Sequence, residues 1–329
     1  MADLKLVSLN DVHTEETAWL WPGWIAKGVL TFVVGEPGVG KSMMSWDLAA
    51  KHTNGGPWPT GESSRPGRAL IVSGEDHLAN WIVPRLKDYG ADLNRVRSLD
   101  PASENPLRLD HDCAQLERLV EDDGIDLVII DPLDAFLGDV NPNHGAEIRT
   151  ITNGLSGMAS RQNCAVVVLH HFNKNEGASN GNRVAGSIDI VGAARTVVYV
   201  VKNPSDSKSR ALSVQKSNLG QRPRPMLYSL NELGCLQWYE APDGFDLRSA
   251  MNSRVDGVVD EAIEFLKTVM AEHGREVRSS IALGQAKDAG ISKNALDKAK
   301  ARLGIRSRRV GGQSGYWVFT ESSDSKAAA

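Results

Sequence analysis

A short segment of the chain has the residue types and spacing of a phosphate-binding loop. It matches the pattern G-x-x-x-x-G-K-S/T at every fixed position and reads Gly35, Glu36, Pro37, Gly38, Val39, Gly40, Lys41, Ser42. Three glycines let the backbone wrap closely around an anion and direct N–H groups at it. In this pattern the lysine reaches the β- and γ-phosphates of a nucleoside triphosphate, and the serine hydroxyl takes one position on Mg²⁺. The residues from Gly35 through Met43 are therefore predicted to bind ATP with Mg²⁺.

The flanking segments have the order that such a loop requires. Residues 29–34 form an apolar, β-branched run that predicts a buried strand, and residues 43–52 have a helical pattern. A helix that starts behind the loop adds the positive end of its dipole to the anion site. A glycine-rich turn that matches the pattern by chance is the alternative, and the order of strand, loop and helix argues against it.

Two carboxylates follow the next predicted strand. Residues 68–73 are mostly apolar and lead into Gly74, Glu75 and Asp76, and open α/β sheets place their ligand sites at the carboxyl ends of strands. We expect Glu75 to orient and deprotonate the water that attacks the γ-phosphate. The alternative is that one of these acids only caps the helix that begins near His77, and we give Asp76 that capping or supporting role.

A third carboxylate ends another apolar run. Residues 127–130 are Leu-Val-Ile-Ile, and Asp131 follows them. An acid at the end of an apolar run, downstream of a phosphate loop, is the second signature of an NTPase, and this acid holds Mg²⁺ directly or through water. The pattern is weak evidence by itself, but it becomes strong when it is paired with Lys41. We predict that Ser42 and Asp131 are the magnesium ligands.

Two adjacent histidines follow the strand predicted over residues 164–169. His170 and His171 must point to opposite faces of that strand, so only one of them can face the nucleotide. Zinc binding is disfavoured because no Cys or acid lies nearby at ligand spacing. We expect a polar sensor of the γ-phosphate, and we prefer His171 to His170 for that role.

The composition of the chain sets limits on its class and location. The 329 residues carry a formal net charge of −4, so the whole chain does not attract nucleic acid by charge alone. No apolar run approaches the roughly eighteen residues of a membrane span, and no signal peptide opens the chain. The three cysteines have no metal-ligand spacing. These features predict a cytoplasmic protein that does not enter a membrane.

The order of patterns predicts an α/β fold with two domains. Apolar strands early in the chain and alternating strands later indicate a mostly parallel sheet with antiparallel additions, flanked by helices. Three tryptophans near residues 19–24 are predicted to pack at a domain edge, and stacking on a base is the alternative. The predicted divisions are an N-terminal segment over 1–27, an ATPase core over 28–241, a linker over 242–253, a second domain over 254–320 and a disordered tail over 321–329.

The second domain has the pattern of a winged helix-turn-helix. Helices are predicted over 256–273, 279–289 and 293–303, and a hairpin follows them. Residues 253–320 contain twelve Lys and Arg and eight Asp and Glu, so this part of the chain has a positive net charge. Four residues are expected to enter a major groove, namely Lys293, Asn294, Lys298 and Arg302. Two more, Arg308 and Arg309, are expected to contact backbone phosphates. Docking of another protein is the alternative function of this domain.

Residues 173–183 form a polar, glycine-rich stretch. A hexameric motor would need such a loop, with donors for phosphates, to face single-stranded DNA in its central channel. Lys174 and Arg183 are its expected phosphate contacts. The stretch lacks aromatic residues, so stacking on bases would be minor. A surface loop with no such function is the alternative.

The assembled segments resemble the RecA-like P-loop ATPases of phage and plasmid replication, and among them the RepA-type hexameric replicative helicases of the AAA family. The resemblance covers roughly residues 19–239. It depends on five segments in order, namely 35–42, 73–76, 130–133, 169–174 and 186–195. Phage members of this type often carry a C-terminal winged helix, as is predicted for this chain.

The resemblance implies further roles. Glu75 aligns with the catalytic glutamate of that family, and His171 aligns with its sensor. Arg195 aligns with the arginine finger that is offered to the ATP of a neighbouring subunit, with a surface cation as the alternative. Lys216 resembles the first member of a paired Lys/Arg element in related hexameric motors. The companion position holds Asn218 instead of arginine, which departs from the motor pattern.

Three functional hypotheses follow from these residues and from the resemblance. The first is an oligomeric ATPase, with a hexamer favoured, that translocates on or unwinds DNA during phage or plasmid replication in a bacterial or phage-infected cell. The second is a DNA-binding initiator or regulator that uses ATP as a switch without unwinding. The third is a RecA-like recombination protein. All three require ATP, Mg²⁺ and DNA.

Overall fold

The structure is a computed structural model that describes most of the chain. The backbone is described over 6–103, 105–141, 144–171, 192, 194–203, 205–273, 276–311 and 316–321, and the side chains over the same ranges except 248–258 and 321. The chain divides into two compact units. The first takes in the described residues up to 171 and from 192 to 245, and the second takes in those from 246 to 321.

Eleven strands are described in the first unit, and nine of them form one sheet. A small pair is formed by β1 (Trp19–Trp21) and β2 (Ile25–Ala26). The sheet strands are β3 (Leu30–Gly35), β4 (Ala69–Ser73), β5 (Val96–Ser98), β6 (Leu127–Asp131), β7 (Ala165–His171), β8 (Thr196–Lys202), β9 (Ser209–Ser217), β10 (Met226–Leu230) and β11 (Leu236–Glu240). Their order across the sheet is β11-β10-β9-β8-β3-β7-β6-β4-β5.

Six neighbouring strands, from β8 to β5, are parallel. Their central members are buried and mostly apolar up to their carboxyl ends, as is typical of parallel strands that are covered on both faces. In the register of β3 and β7, Gly35 lies opposite His171, and in that of β4 and β6, Ser73 lies opposite Asp131. The carboxyl ends of four strands therefore meet at one edge of the sheet.

Strands β9, β10 and β11 extend the sheet in antiparallel fashion, as the alternating patterns predicted. Because β9 runs against β8, its first residues lie beside Lys202 at the end of β8, and its last residues lie beside Thr196 at the start. One strand therefore connects the edge that carries the phosphate loop to the opposite edge.

Four α-helices are described in the first unit: α1 (Lys41–Asn54), α2 (Val83–Asp88), α3 (Cys113–Asp122) and α4 (Gly145–Gln162). The helix predicted to begin near His77 differs in form, because residues Leu78–Ile82 make a π-helical turn before α2. His77 holds the N-cap position of that turn and makes no side-chain capping bond. Single 3₁₀ turns occur at Leu9–Asp11, Leu93–Arg95 and Leu133–Phe136.

The tryptophans near the start of the chain are packed inside the first unit. Trp21 and Trp24 are 1% and 0% exposed and stack with ring centroids 4.7 Å apart. Trp58 and Trp238 extend the cluster around Trp21. Such aromatic pairs contribute about 0.5–1.5 kcal/mol beyond the area that they bury. The packing prediction is confirmed for Trp21 and Trp24. Trp58, which follows α1 in a stretch rich in Gly and Pro, is also buried because it completes this cluster.

Asp126 joins several elements just before β6. Its carboxylate accepts hydrogen bonds from Lys27 Nζ at 2.9 Å and from the backbone N–H of Arg68 at 2.9 Å, and it lies 2.7 Å from His52 Nε2. Burial alone would raise the pKa of Asp126, but its bonds to His52 and Lys27 hold that pKa well below its usual range. The ionised carboxylate therefore ties α1, at His52, to the start of the sheet.

The second unit contains three helices and a three-stranded antiparallel sheet. In chain order the elements are α5 (Leu247–His273), β12 (Glu276–Arg278), α6 (Ser279–Asp288), α7 (Lys293–Leu303), β13 (Ile305–Val310) and β14 (Tyr316–Glu321). The strands lie in the order β12-β14-β13. A core of its own includes Val259, Leu266, Leu296 and Phe319.

Local signals explain two boundaries in this unit. The hydroxyl of Ser292 accepts a hydrogen bond from the backbone N–H of Ala295, so Ser292 is the N-cap of α7. The linker predicted over 242–253 is too long, because α5 begins at Leu247 and residues 247–253 are helical. The buried side chain of Leu247 fixes this early start. Among the described residues, no helix combines the length and apolar character needed to cross a membrane.

Candidate nucleotide-binding site

The loop between β3 and α1 is shaped by its glycines. Gly38 and Gly40 have φ values of 68° and 94°, a left-handed conformation that glycine adopts without a steric cost. At Gly35 the constraint is space, because a Cβ atom there would lie 2.4 Å from the carbonyl oxygen of Val200. Gly35 therefore lets β3 and β8 lie close together where the loop begins.

Lys41 is the central cation of the site. It is only 4% exposed, and its Nζ donates to the carbonyl oxygens of Gly35 and Glu36, both at 3.0 Å. Burial lowers the pKa of Lys41 to about 8, although the carboxylates of Asp131, Glu75 and Glu36 oppose that shift. Two loop carbonyls thus hold the amine in place at the mouth of the loop.

Asp131 lies at the end of β6, beside the start of α1. It is 5% exposed, and its carboxylate is hydrogen bonded to the side chain of Ser42. Burial raises the pKa of Asp131 to about 6; Asp76 and Glu75 raise it further, while Ser42 and Lys41 lower it. The second oxygen, Oδ2, is buried and has no hydrogen-bond partner within the described part of the chain.

This orphaned oxygen is a test of the expected magnesium site. A buried carboxylate with a raised pKa is stabilised by a cation, and Mg²⁺ is commonly held by one or two protein oxygens together with phosphates and water. The Ser42 hydroxyl and Asp131 Oδ2 fit that small ligand set. Among the described residues, no group of three His, Cys, Asp or Glu side chains could hold a metal by itself.

Glu75 and Asp76 follow β4 at the same edge. Glu75 is exposed, and its carboxylate raises the pKa values of Lys41 and Asp131. Burial and the charge of Glu75 raise the pKa of Asp76. The predicted capping role of Asp76 is not observed, because the N-cap position belongs to His77. Asp76 instead adds negative charge beside Asp131.

The two histidines at the end of β7 face different partners. His171 Nδ1 lies 3.1 Å from Lys41 Nζ, whereas His170 Nδ1 lies 3.3 Å from a carboxylate oxygen of Asp134. Burial and the positive charge of Lys41 lower the pKa of His171, so its neutral ring accepts from the lysine amine. Of the two histidines, His171 is the one beside the phosphate loop.

Arg195 and Lys216 lie at the other edge of the sheet. The backbone N–H of Arg195 donates to the carbonyl oxygen of Leu30, at the start of β3, and the loop begins four residues beyond Thr31. Four residues of strand span about 13 Å. Lys216 Nζ donates to the carbonyl oxygen of Ala194 at 2.8 Å. Within one chain neither side chain reaches the phosphate loop. Lys216 supports the backbone before Arg195, and its role towards a neighbouring subunit stays a prediction.

The predicted DNA contacts lie either in the second unit or outside the described residues. Lys174 and Arg183, with the stretch around them, lie outside the described residues. On α7, Lys293 is exposed and Asn294 and Lys298 are half-buried. Two expected DNA contacts also make ion pairs within the unit: Arg302 with Asp260 at 3.5 Å and Arg308 with Glu276 at 2.6 Å. Arg309 is exposed on β13.

Two residues that touch the phosphate loop were not found from the sequence. Arg210 on β9 and Tyr228 on β10 donate hydrogen bonds to carbonyl oxygens of Val39 and Gly40. They lie 171 and 189 residues from Val39 along the chain, in strands whose sequence patterns show no special feature. No local motif marks such a contact.

The lowered pKa of Lys41 predicts that anion binding depends on pH. A bound polyphosphate favours the charged amine, so the pKa rises on binding and a proton is taken up. Affinity for ATP should therefore fall as pH rises through about 8, approaching about tenfold per pH unit above it. Calorimetry at about pH 7 and about pH 9, in two buffers of different ionisation enthalpy, measures both effects. Lys41→Arg is the matched control because its guanidinium stays charged at both pH values. The prediction is contradicted if the wild type binds ATP with equal affinity at the two pH values and takes up no proton.

Comparison with known proteins gives curated relatives of low identity. The DNA repair protein RadA of Chlamydia trachomatis is 20% identical over 275 residues, and that of Chlamydia muridarum is 22% identical over the same length. Each alignment covers 82% of this chain and 54% of the relative. The chain therefore spans about half the length of the curated relatives that it matches.

A solved structure and a family model also match. The ATPase domain of G40P aligns with a TM-score of 0.49 and 11% identity, over 66% of this chain and 86% of that one. The family model, described as an AAA domain, matches residues 3–177, which is just over half of the 329 residues. The chain, with its mixed α/β sheet and phosphate loop, belongs to the AAA domain family.

Proposed function

We propose that this protein hydrolyses ATP at the interface between two copies of the chain and uses that reaction to translocate on or unwind DNA. One observation carries the proposal. Lys41, Asp131 and His171 converge with Glu75 at one edge of the sheet, while Arg195 immediately precedes β8 at the opposite edge. A site of this kind is completed by a neighbouring molecule.

Each residue at the loop edge has a separate task in this proposal. Lys41 orients the β- and γ-phosphates, and Ser42 and Asp131 hold the magnesium ion. Glu75, the exposed carboxylate, accepts the proton of the attacking water. His171 contacts Lys41 and senses the terminal phosphate. When bound, Mg²⁺ with ATP supplies the phosphoryl group and a cation that neutralises developing negative charge.

Arg195 is assigned to the neighbouring subunit's nucleotide. An arginine that approaches the transferring phosphate contributes about 10³–10⁵ in rate because it neutralises charge in the transition state. Lys216 supports this residue from within the chain by holding the carbonyl of Ala194. Burial, and next the charge of Arg195, lower the pKa of Lys216, which indicates that the two cations are close. A closed ring, with a hexamer favoured, repeats this contact at each interface.

The biological setting is proposed from the resemblance in the sequence. Replicative ATPases of phages and plasmids have the same ordered segments, so we propose DNA as the partner and the cytoplasm of a bacterial or phage-infected cell as the location. Lys174 and Arg183 are proposed to contact single-stranded DNA in the channel. The printed names of the curated relatives, DNA repair proteins, favour recombination or repair of DNA as the second candidate function.

The second unit is proposed to be a winged helix-turn-helix that binds duplex DNA. The order of α5, β12, α6, α7, β13 and β14 matches that topology. Lys293 and Lys298 lie on the solvent side of α7, opposite the buried Leu296 and Ala299. Asp297 is exposed between them and reduces the positive charge of this surface. Binding through α7 is therefore expected to be weak and strongly dependent on salt.

The main proposal predicts ATP-driven separation of DNA strands. The full chain should hydrolyse ATP faster with single-stranded DNA and should displace a labelled strand from a forked duplex, because motor loops couple phosphate release to movement. Glu75→Gln should bind ATP but do neither. Stimulated hydrolysis without displacement would favour a nucleotide-switched regulator, and strand exchange would favour the recombination function. Absence of hydrolysis with and without DNA would contradict the proposal.

The shared site predicts complementation between two inactive variants. Arg195→Ala should bind ATP normally and lose about 10³–10⁵ of kcat, and Glu75→Gln should also be inactive. In a mixture, some interfaces combine an intact Glu75 with an intact Arg195 from the next subunit, so phosphate release should reappear. Arg224→Ala, which changes an exposed arginine paired with Asp243, is the control for loss of a surface cation. A mixture no more active than its parents would refute the assignment of Arg195.

The second unit predicts a charge effect on duplex binding. Lys293→Glu with Lys298→Glu should weaken affinity for duplex DNA by about tenfold or more at moderate salt and should reduce the salt dependence. Lys267→Glu changes an exposed lysine of α5 that pairs with Glu264 and should leave affinity nearly unchanged. Fluorescence anisotropy measures both. If the double variant binds as the wild type does, the unit functions as a protein-docking module instead.

A further inference from the structure

The carbonyl groups of the phosphate loop need partners of their own. A loop that directs its N–H groups at an anion turns carbonyl oxygens to the other side. On that side, the carbonyl oxygens of Val39 and Gly40 accept hydrogen bonds from side chains of the antiparallel strands β9 and β10. Arg210 Nε lies 3.2 Å from the Val39 oxygen, and Tyr228 Oη lies 3.4 Å from the Val39 oxygen and 3.2 Å from the Gly40 oxygen.

Both donors are fixed in position. Tyr228 is 2% exposed and packs against Trp238 with ring centroids 5.1 Å apart. Burial raises the pKa of its hydroxyl, so it remains a proton donor throughout the neutral range. The guanidinium of Arg210 also donates to the carbonyl oxygens of Ser207 and Ser209, at 3.1 and 3.3 Å. A side chain held at several points is a rigid support for the loop.

These contacts act on the peptide groups whose N–H atoms bind phosphate. The Val39 carbonyl shares its peptide group with the N–H of Gly40, and the Gly40 carbonyl shares its peptide group with the N–H of Lys41. A donor on the carbonyl oxygen polarises the whole group and makes its N–H a stronger donor. The positive charge of Arg210, next to the Val39 oxygen, also makes the N–H of Gly40 a stronger donor.

We infer that Arg210 and Tyr228 are positioning residues that hold and polarise the phosphate loop from behind. They act through the loop backbone and touch no substrate. The close fit at Gly40 supports this, because a Cβ atom at that glycine would lie 3.3 Å from the Tyr228 hydroxyl. The glycine thus gives the loop both its left-handed turn and room for the tyrosine. The inference rests on the proposed nucleotide site and extends it to β9 and β10.

The test removes each donor from the full-length protein. Tyr228→Phe should raise the Kd for Mg²⁺–ATP about three- to tenfold, because one hydrogen bond behind the loop is lost. Arg210→Gln should raise it about tenfold or more, because a charged donor is lost. The double variant should lose less than the product of the two factors, because both donors share the Val39 oxygen.

Matched controls separate this role from general stability. Tyr89→Phe removes a hydroxyl that donates to the carbonyl oxygen of Gly234 at 3.3 Å and not to a carbonyl of the phosphate loop. Arg224→Gln removes an exposed arginine. Both should keep the Kd for ATP within about twofold of the wild type. If Tyr228→Phe and Arg210→Gln behave like their controls, the inference is wrong.

A measurement without nucleotide distinguishes this inference from the proposed function. Amide hydrogen exchange of residues 35–44 in the nucleotide-free protein should be faster in Tyr228→Phe than in Tyr89→Phe or the wild type, because the loop loses a support. Equal exchange in all three would overturn the inference even if the wild type binds ATP. Failure of the wild type to bind Mg²⁺–ATP would instead overturn the proposed nucleotide site. That result is distinguishable from any difference in amide exchange between the variants.

Discussion

The parallel register of the central strands is the constraint on which the candidate site depends. Residues separated by more than a hundred positions become neighbours because β3, β4, β6 and β7 end at one edge. Gly35 then lies opposite His171, and Ser73 opposite Asp131. A shift of one residue in any of these pairs would turn each side chain to the other face of its strand. The apolar cores of the strands, buried on both faces, make such a shift costly.

Strand β9 gives the two edges of the sheet a common element. Near its start, Arg210 donates to the phosphate loop, and near its end, Lys216 donates to the backbone before Arg195. The first contact supports the chain's own nucleotide site, and the second supports the arginine proposed for a neighbour's site. The antiparallel strands are thus more than an extension of the sheet, because they join the side chains of two different sites.

The sequence predicted the parts of the site that have local signatures. The phosphate loop, Asp131 and the acids after β4 each follow an apolar run, and strand ends in such folds meet at one edge. The preference for His171 over His170 required the orientation of β7, which the strand pattern alone does not specify. The contacts of Arg210 and Tyr228 were not predictable, because antiparallel pairing and side-chain reach decide them. The burial of Trp58 was missed for the same reason, since its partners come from distant segments.

The electrostatics of the site favour the proposal that two copies of the chain share it. Three carboxylates, those of Glu75, Asp76 and Asp131, surround a lysine whose own pKa is lowered by burial. Burial and, after it, like charges raise the pKa values of Asp76 and Asp131, so this edge favours the binding of positive charge. A divalent cation meets part of that need, but a triphosphate adds several negative charges of its own. Arg195 lies at the far edge of the same sheet. In the proposed function, a second copy of the chain supplies positive charge at the transferring phosphate through its Arg195, so that assembly would be part of the chemistry.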